Sequence, residues 1–228
     1  MAADAEAGRV IPDGAVENWN SPGYAHALGT GRGEVSLRDG NGWVLPLDIG
    51  RWRAHADSCD MTVVRRCCGP VLDIGCGPGR LVEALTGQGL RALGIDISLS
   101  AVNVTTGRGG PALCRSVFDA LPSEGEWGTA LLLDGNIGIG GDPVRLLQRV
   151  KTLVRDRGVA LVEASAEDVD HRHLARLHDG QGMLHAFFPW ATVGRDALAR
   201  HARAARWRVD EQWTTSGNRH FFALRSAR

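Results

Sequence analysis

Lysine is nearly missing from these 228 residues. Lys151 stands alone, and arginine supplies the rest of the 26 basic residues that 26 acidic ones balance to a formal charge of zero. With no surplus of positive charge there is no long-range pull toward polyanions, so nucleic acid is not the expected partner. Cysteine is sparse and unpaired in its spacing. Cys59, Cys67, Cys68, Cys76 and Cys114 are odd in number and form no C-x-x-C, so neither a zinc site nor a disulfide framework is predicted. No apolar run approaches the ~18 residues of a membrane span. The opening MAADAEAGRV lacks the apolar core of a signal peptide. A cytoplasmic protein with reduced thiols and no membrane partner is the expectation.

Glycine is what the chain has in quantity: 30 residues, crowded into the N-terminal third and around 135–141. Hydrophobic residues at 43% and charged residues at 23% match ordinary globular usage and predict a buried core. The length suits one α/β domain with a small appendage.

Residues 1–22 read as a polar lead-in, and 23–34 begin a short helix that glycines stop. Two alternating segments flank the turn signal Asp39-Gly-Asn-Gly42, which predicts a hairpin. Trp52, Met61, Val63 and Val64 recur at helical spacing and predict a helix over 47–67. A regular alternation follows. Strands are predicted at 70–75, 91–97, 112–118, 128–135 and 159–165. Helices are predicted at 79–89, from Ser98 onward, at 142–158 with Gly158 as the stop, and at 195–207. Two last strands flank Ser216-Gly217. Such alternation predicts an α/β, mostly parallel sheet with right-handed crossovers, and a short final connection makes its last pair antiparallel.

The most informative stretch is Val71-Leu-Asp73-Ile-Gly75-Cys76-Gly77-Pro-Gly79-Arg80. A buried strand runs into a glycine-rich turn that opens a helix, where missing β-carbons let the backbone approach a ligand. A dinucleotide site wants G-x-G-x-x-G, and Arg80 stands where its third glycine belongs. The bland alternative is an ordinary βα turn. Some twenty residues on, Asp96 ends the strand LGIDI, where a carboxylate either accepts both ribose hydroxyls or merely starts a helix.

This D-x-G-x-G-x-G arrangement resembles motif I of class I S-adenosylmethionine-dependent methyltransferases, of the small-molecule type. The resemblance covers about 68–165 by motif and about 190–228 by pattern. It implies a doubly wound, Rossmann-like domain at 68–228 with a seven-stranded sheet whose last strand is antiparallel, and a lid-like extension at 1–67. It implies S-adenosylmethionine as cofactor, held by Asp73, Gly75, Cys76, Gly77, Gly79, Asp96, Ile97, Phe118, Asp119 and Asp134. Within that set Asp119 would meet the adenine amino group with Phe118 beside the ring; the alternative is that Asp119 only caps a turn. Asp134 and Asn136 follow strand four, where they orient the sulfonium, hold substrate or form turns. The Asp/Asn-Pro-Pro-Tyr/Phe signature of nucleic-acid amino methyltransferases is missing.

In the extension, Tyr24, Trp43, Arg51 and Trp52 are candidates to close over the methionine end, against the commoner role of core or edge aromatics. The candidate bases are His26, His55, His171, His173, His178, His185, His201 and His220, none of them assigned; a base is needed only for an acceptor proton of high pKa. His171 and His173 face apart if they lie on a helix. Glu163 is a further site candidate. Phe187, Phe188 and Trp190 either line an acceptor pocket or belong to a strand or loop that packs on the core. The implied activity is methyl transfer to a small, partly apolar acceptor, with a catalytically silent cofactor-binding subunit as the alternative. A nicotinamide oxidoreductase fits poorly, given the glycine spacing and the missing Tyr-x-x-x-Lys pair.

Overall fold

The computed structural model describes residues 13–180 and 185–226. Its first elements are α1 (Asp13–Trp19) and α2 (Pro22–Thr30). The Ser21 side chain caps α2 by accepting from the Tyr24 backbone N–H, Pro22 fills the first turn, and Gly31 ends the helix in the left-handed region. The predicted hairpin follows as β1 (Val35–Arg38) and β2 (Val44–Leu47), its turn held by Asp39 accepting from the backbone of Asn41 and Trp43, both at 2.8 Å. The helix expected over 47–67 is instead two short ones, α3 (Ile49–Arg53) and α4 (Ser58–Val64). Asp57 starts the second with a reciprocal capping box to Asp60, which requires an extended residue and so breaks the run.

The alternating part is β3 (Val71–Ile74), α5 (Arg80–Gly87), β4 (Ala92–Asp96), α6 (Leu99–Gly107), β5 (Ala112–Cys114) and β6 (Trp127–Leu132). After one 3₁₀ turn come α7 (Pro143–Leu153) and β7 (Val154–Ala164), then β8 (Asp170–His178), β9 (Phe188–Val193), α8 (Arg195–Ala204), β10 (Trp207–Thr215) and β11 (Arg219–Ser226). The strand expected over 112–118 stops at Cys114, because Ser116 and Asp119 form a side-chain-capped turn. Helix α7 passes straight into β7 at Leu153, leaving Gly158 inside the strand rather than at a helix end.

Seven strands form one sheet in the order β10-β11-β7-β6-β3-β4-β5. The pairs β3–β4, β3–β6, β4–β5 and β6–β7 are parallel, and β11 lies antiparallel between β7 and β10. The central strands are buried on both sides, as a parallel sheet covered by helices requires.

A second sheet, β2-β1-β8-β9, is antiparallel throughout. Its β8 is not expected from the sequence, whereas β9 falls where a strand or loop packed on the core is one of the two readings. Leu37, Ala175, Leu177 and Phe188 of this sheet pack on Tyr24 and Leu28 of α2, and Ile139 bridges that cluster to the main core. His171 and His173 therefore lie on a strand, where alternate residues share a face, and their rings are 4.8 Å apart.

Candidate functional site

The C-terminal ends of β3, β4 and β6 open on a cleft roofed by residues of α1, α2 and β9. Its enclosed space is about 110 Å³, and about 1010 Å³ is free of protein atoms when the open mouth is counted.

Its floor is the glycine turn. Gly75, Gly77 and Gly79 all have positive φ, +70°, +53° and +83°. Each is glycine for a different reason. A β-carbon at Gly75 would lie 2.6 Å from the Asn136 amide, and one at Gly79 would lie 2.5 Å from Thr105. One at Gly77 would meet no atom within 4 Å, because that Cα borders the empty cleft. Asn136 donates from one nitrogen to the carbonyls of Ile74 and Gly75, at 2.9 and 3.0 Å, and so ties the loop after β6 to the turn.

Asp96 sits at the end of β4 on the cleft wall. One oxygen accepts from the Gly77 backbone N–H at 2.9 Å and the other from Ser98 at 2.8 Å. Burial raises this carboxyl above its ordinary value against the opposing pull of those N–H groups. Each oxygen keeps a lone pair for a hydroxyl donor.

Of the residues expected to hold the cofactor, Gly75, Cys76, Gly77, Asp96, Ile97 and Asp134 line this cleft, whereas Asp73, Gly79, Phe118 and Asp119 do not. Asp73 lies beneath the turn, 2% exposed, with its Oδ2 unpartnered. Burial, chiefly, pushes its carboxyl up to about 7; Arg80 opposes this, while Asp134, Asp96 and Asp60 add to it. Asp119 is exposed and accepts from the Ser116 N–H at 3.1 Å, the turn-capping role. The Phe118 ring packs against Gly140. From that segment the cleft receives Arg115, Ser116 and Val117 instead.

One end of the cleft rests on a buried ionic network that sequence reasoning missed. Asp134 adopts a left-handed φ of +55°, and its N–H donates to Glu163 at 2.8 Å. Its carboxylate receives Arg80 at 2.6 Å and Arg51 at 2.7 Å. Asp60 takes Arg80 at 2.9 Å, Arg51 at 3.0 Å and Arg219 at 3.0 Å, and Arg219 also holds Glu163 at 2.7 Å. Three arginines thus meet three carboxylates drawn from α3, α4, α5, β7, β11 and the loop after β6. Burial alone would raise the Asp134 carboxyl, but the charges of Arg80, Arg51 and Arg219 outweigh it and hold the group below its usual range. The one local signal was Arg80 in place of a third glycine; the other members are far apart in the chain.

Tyr24 and Trp52 of the N-terminal segment line the cleft, and Arg51 reaches it through Asp134. Trp43 does not; it stacks on His173 with centroids 3.8 Å apart. Phe188 and Trp190 line the roof, whereas Phe187 is 44% exposed. Among the described residues no histidine lines the cleft.

Residues 68–212 match the family model described as a methyltransferase domain. No curated protein matches the chain in sequence. Among solved structures, an S-adenosylmethionine-dependent methyltransferase from Bacteroides fragilis, in complex with S-adenosyl-L-homocysteine, superposes over 95% of this chain and 97% of its own, with TM-score 0.73 and 18% identity. The Burkholderia thailandensis 1,6-didemethyltoxoflavin-N1-methyltransferase, with 1,6-didemethyltoxoflavin and S-adenosylhomocysteine bound, aligns over 79% of this chain and 82% of its own, with TM-score 0.58 and 18% identity. The glycopeptide N-methyltransferase MtfA, complexed with S-adenosylmethionine, aligns over 75% and 94%, with TM-score 0.57 and 15% identity. Likeness at these identities is likeness of fold.

Proposed function

The chain belongs to the methyltransferase domain family and carries the class I fold of S-adenosylmethionine-dependent methyltransferases, and from that premise we propose that it transfers the methyl of S-adenosylmethionine to a small-molecule acceptor bound under the cleft roof. The observation that carries this reading is the Gly77–Asp96 pair: a bare Cα bordering the cleft, bonded to a carboxylate with acceptor capacity left over. Those residues fit the cofactor. Asp96 would take the ribose hydroxyls and Gly77 would let the backbone approach. Ile97 and Val117 would flank the adenine, and the Arg80–Asp134 pair, the charged couple at the other end of the lining, would face the amino-acid end.

When bound, S-adenosylmethionine supplies a methyl group already activated by the sulfonium charge. What the protein must add is alignment of nucleophile, methyl carbon and sulfur, together with exclusion of water. Asn136 and Asp96 brace the turn on two sides, and the aromatic roof covers it. The apolar roof, the zero net charge and the size of the cleft support a small acceptor over a polyanion. The Burkholderia neighbour, whose named substrate is a small heterocycle, is consistent with that choice. The five free cysteines accord with a reducing, cytoplasmic setting.

Calorimetric titration with S-adenosylmethionine and S-adenosylhomocysteine tests the cofactor assignment. Micromolar binding of both is expected, and no heat from either overturns it.

A further inference from the structure

The side chains roofing the cleft form one connected aromatic surface. Trp19 meets Tyr24 edge-on at 5.1 Å, Phe188 at 6.0 Å and Trp190 at 6.3 Å, and Phe188 meets Trp190 at 6.3 Å and 85°. All four line the cleft, and Tyr24, Phe188 and Trp190 are 2%, 3% and 7% exposed. They come from α1, α2 and β9, three separate elements that border the same cleft as the glycine turn. Ring faces carry negative quadrupole density, so such a wall attracts flat apolar rings and cations.

The ionisable groups of the lining complete the picture. Among the described residues these are Tyr24, Cys76, Arg80, Asp96, Arg115 and Asp134. Burial, with Asp96 and Cys76 adding to it, raises the Tyr24 hydroxyl, and burial likewise raises the Cys76 thiol, so both keep their protons. Arg80 and Arg115 are guanidinium donors. Asp134 is saturated by arginines, and Asp96 is bonded to two backbone N–H groups and assigned to ribose. Among the described residues no lining group is placed to take a proton from an alcohol or phenol as its methyl arrives.

Resting on the cofactor reading above, we infer that the acceptor is a flat, apolar molecule whose reacting atom is an uncharged nitrogen, methylated without a protein base and held as a cation against the Trp19–Tyr24–Phe188–Trp190 roof. The nitrogen lone pair forms the new bond to the methyl carbon as the carbon–sulfur bond breaks with its electron pair left on sulfur. The positive charge passes from sulfur to nitrogen. Net charge in the cleft is unchanged, and any N–H proton leaves later, to water. A hydroxyl acceptor would instead have to expel a proton during transfer into a lining that has no place for it.

The test is equilibrium dialysis of two isosteric probes, the cation N-methylquinolinium and the neutral 1-methylnaphthalene, against the protein saturated with S-adenosylhomocysteine. The cation should bind about tenfold more tightly, the scale of a desolvated cation–π contact. That preference should shrink in Trp190→Leu and Phe188→Leu. It should also shrink when S-adenosylmethionine replaces S-adenosylhomocysteine, because the sulfonium charge would then repel a second cation in the cleft. Equal binding of the two probes, tighter binding of the neutral one, or no binding of either overturns the inference. A protein that does not take up S-adenosylhomocysteine calorimetrically overturns the cofactor reading instead, so the two failures are distinguishable.

Discussion

Asp60 receives the Arg80 guanidinium through two hydrogen bonds, 2.9 and 3.2 Å long, between side chains that are 1% and 5% exposed. Asp60 lies on α4, ahead of the segment that matches the family model, and Arg80 opens the helix after the glycine turn. The pair therefore clamps the N-terminal segment onto the end of the sheet that carries the cleft. Burying two charges is costly and the bonds largely offset that cost, so removing one partner leaves the other stranded. Asp60→Ala strands Arg80 and weakens the hold on Arg219 and Arg51 at once. It should destabilise the fold by about 3–5 kcal/mol, measured as a lower urea midpoint at unchanged slope. A loss below about 1 kcal/mol would mean that water compensates the arginines.

The same neighbourhood makes stability depend on pH in two opposing ways. Burial would raise Asp60, but the hydrogen bonds and charges of Arg80 and Arg219 prevail and hold it well below the carboxylate range. Its contribution is thus complete above the unfolded value of about 3.9 and is lost as pH falls through the lower folded value. Asp73 behaves oppositely, pushed up to about 7, chiefly by burial. The folded chain keeps a proton that the unfolded chain releases above about pH 4, so stability declines as pH rises from about 4 to about 7. Asp73→Asn removes that slope. Urea unfolding should find the variant gaining on the parent between pH 4.5 and pH 8; a constant difference across that range would exclude Asp73 as the titrating group.

Asp96→Ala removes a charge-assisted acceptor from the cleft wall and one brace of the Gly77 turn. Affinity for S-adenosylhomocysteine should weaken by about 1.5–3 kcal/mol, read calorimetrically, while Asp96→Glu should recover part of it. Unchanged affinity in the alanine variant would take Asp96 out of the site.

What the sequence showed was what is local. The run Val71–Ile74, the three glycines and Asp96 lie within one βαβ unit, where strand, turn and helix signals are contiguous, and the seven-stranded sheet with its antiparallel β11 followed from the alternation. Of the second sheet, β8 was hidden because it carries Asp170, His171 and Arg172 exposed, with Leu174 64% exposed on its outer side, so its alternation does not read as a strand with a buried face. His171 and His173, which would face apart on a helix, share a face on this strand. Most of the aromatic roof was visible: Tyr24, Phe188 and Trp190 were candidates, but Trp19 joins them only through tertiary contact. The strand after α6 was read too long, so Phe118 and Asp119 were expected in the wall that Ser116 and Val117 occupy. The arginine network spans residues 51 to 219, and apart from Arg80 in the glycine turn no local pattern announces it.

Gly77 and Gly79 share a left-handed backbone, yet their substitutions should fail in different ways. Forcing an L-residue into that region costs roughly 1–2 kcal/mol at either position. At Gly79 the added β-carbon also meets Thr105 at 2.5 Å, and Thr105 is fully buried and bonded to the Gly77 carbonyl at 2.9 Å. Gly79→Ala should therefore lose stability well beyond the backbone cost, and lose binding only as the turn distorts. At Gly77 there is no protein atom to meet, so Gly77→Val should stay folded with a modest fall in melting temperature. Its side chain would instead occupy the space where ligand backbone contact is proposed, and S-adenosylhomocysteine binding should vanish. Melting curves and calorimetry on the two variants separate these outcomes. Normal binding by folded Gly77→Val would show that no ligand approaches the turn there, and the cleft would need another reading.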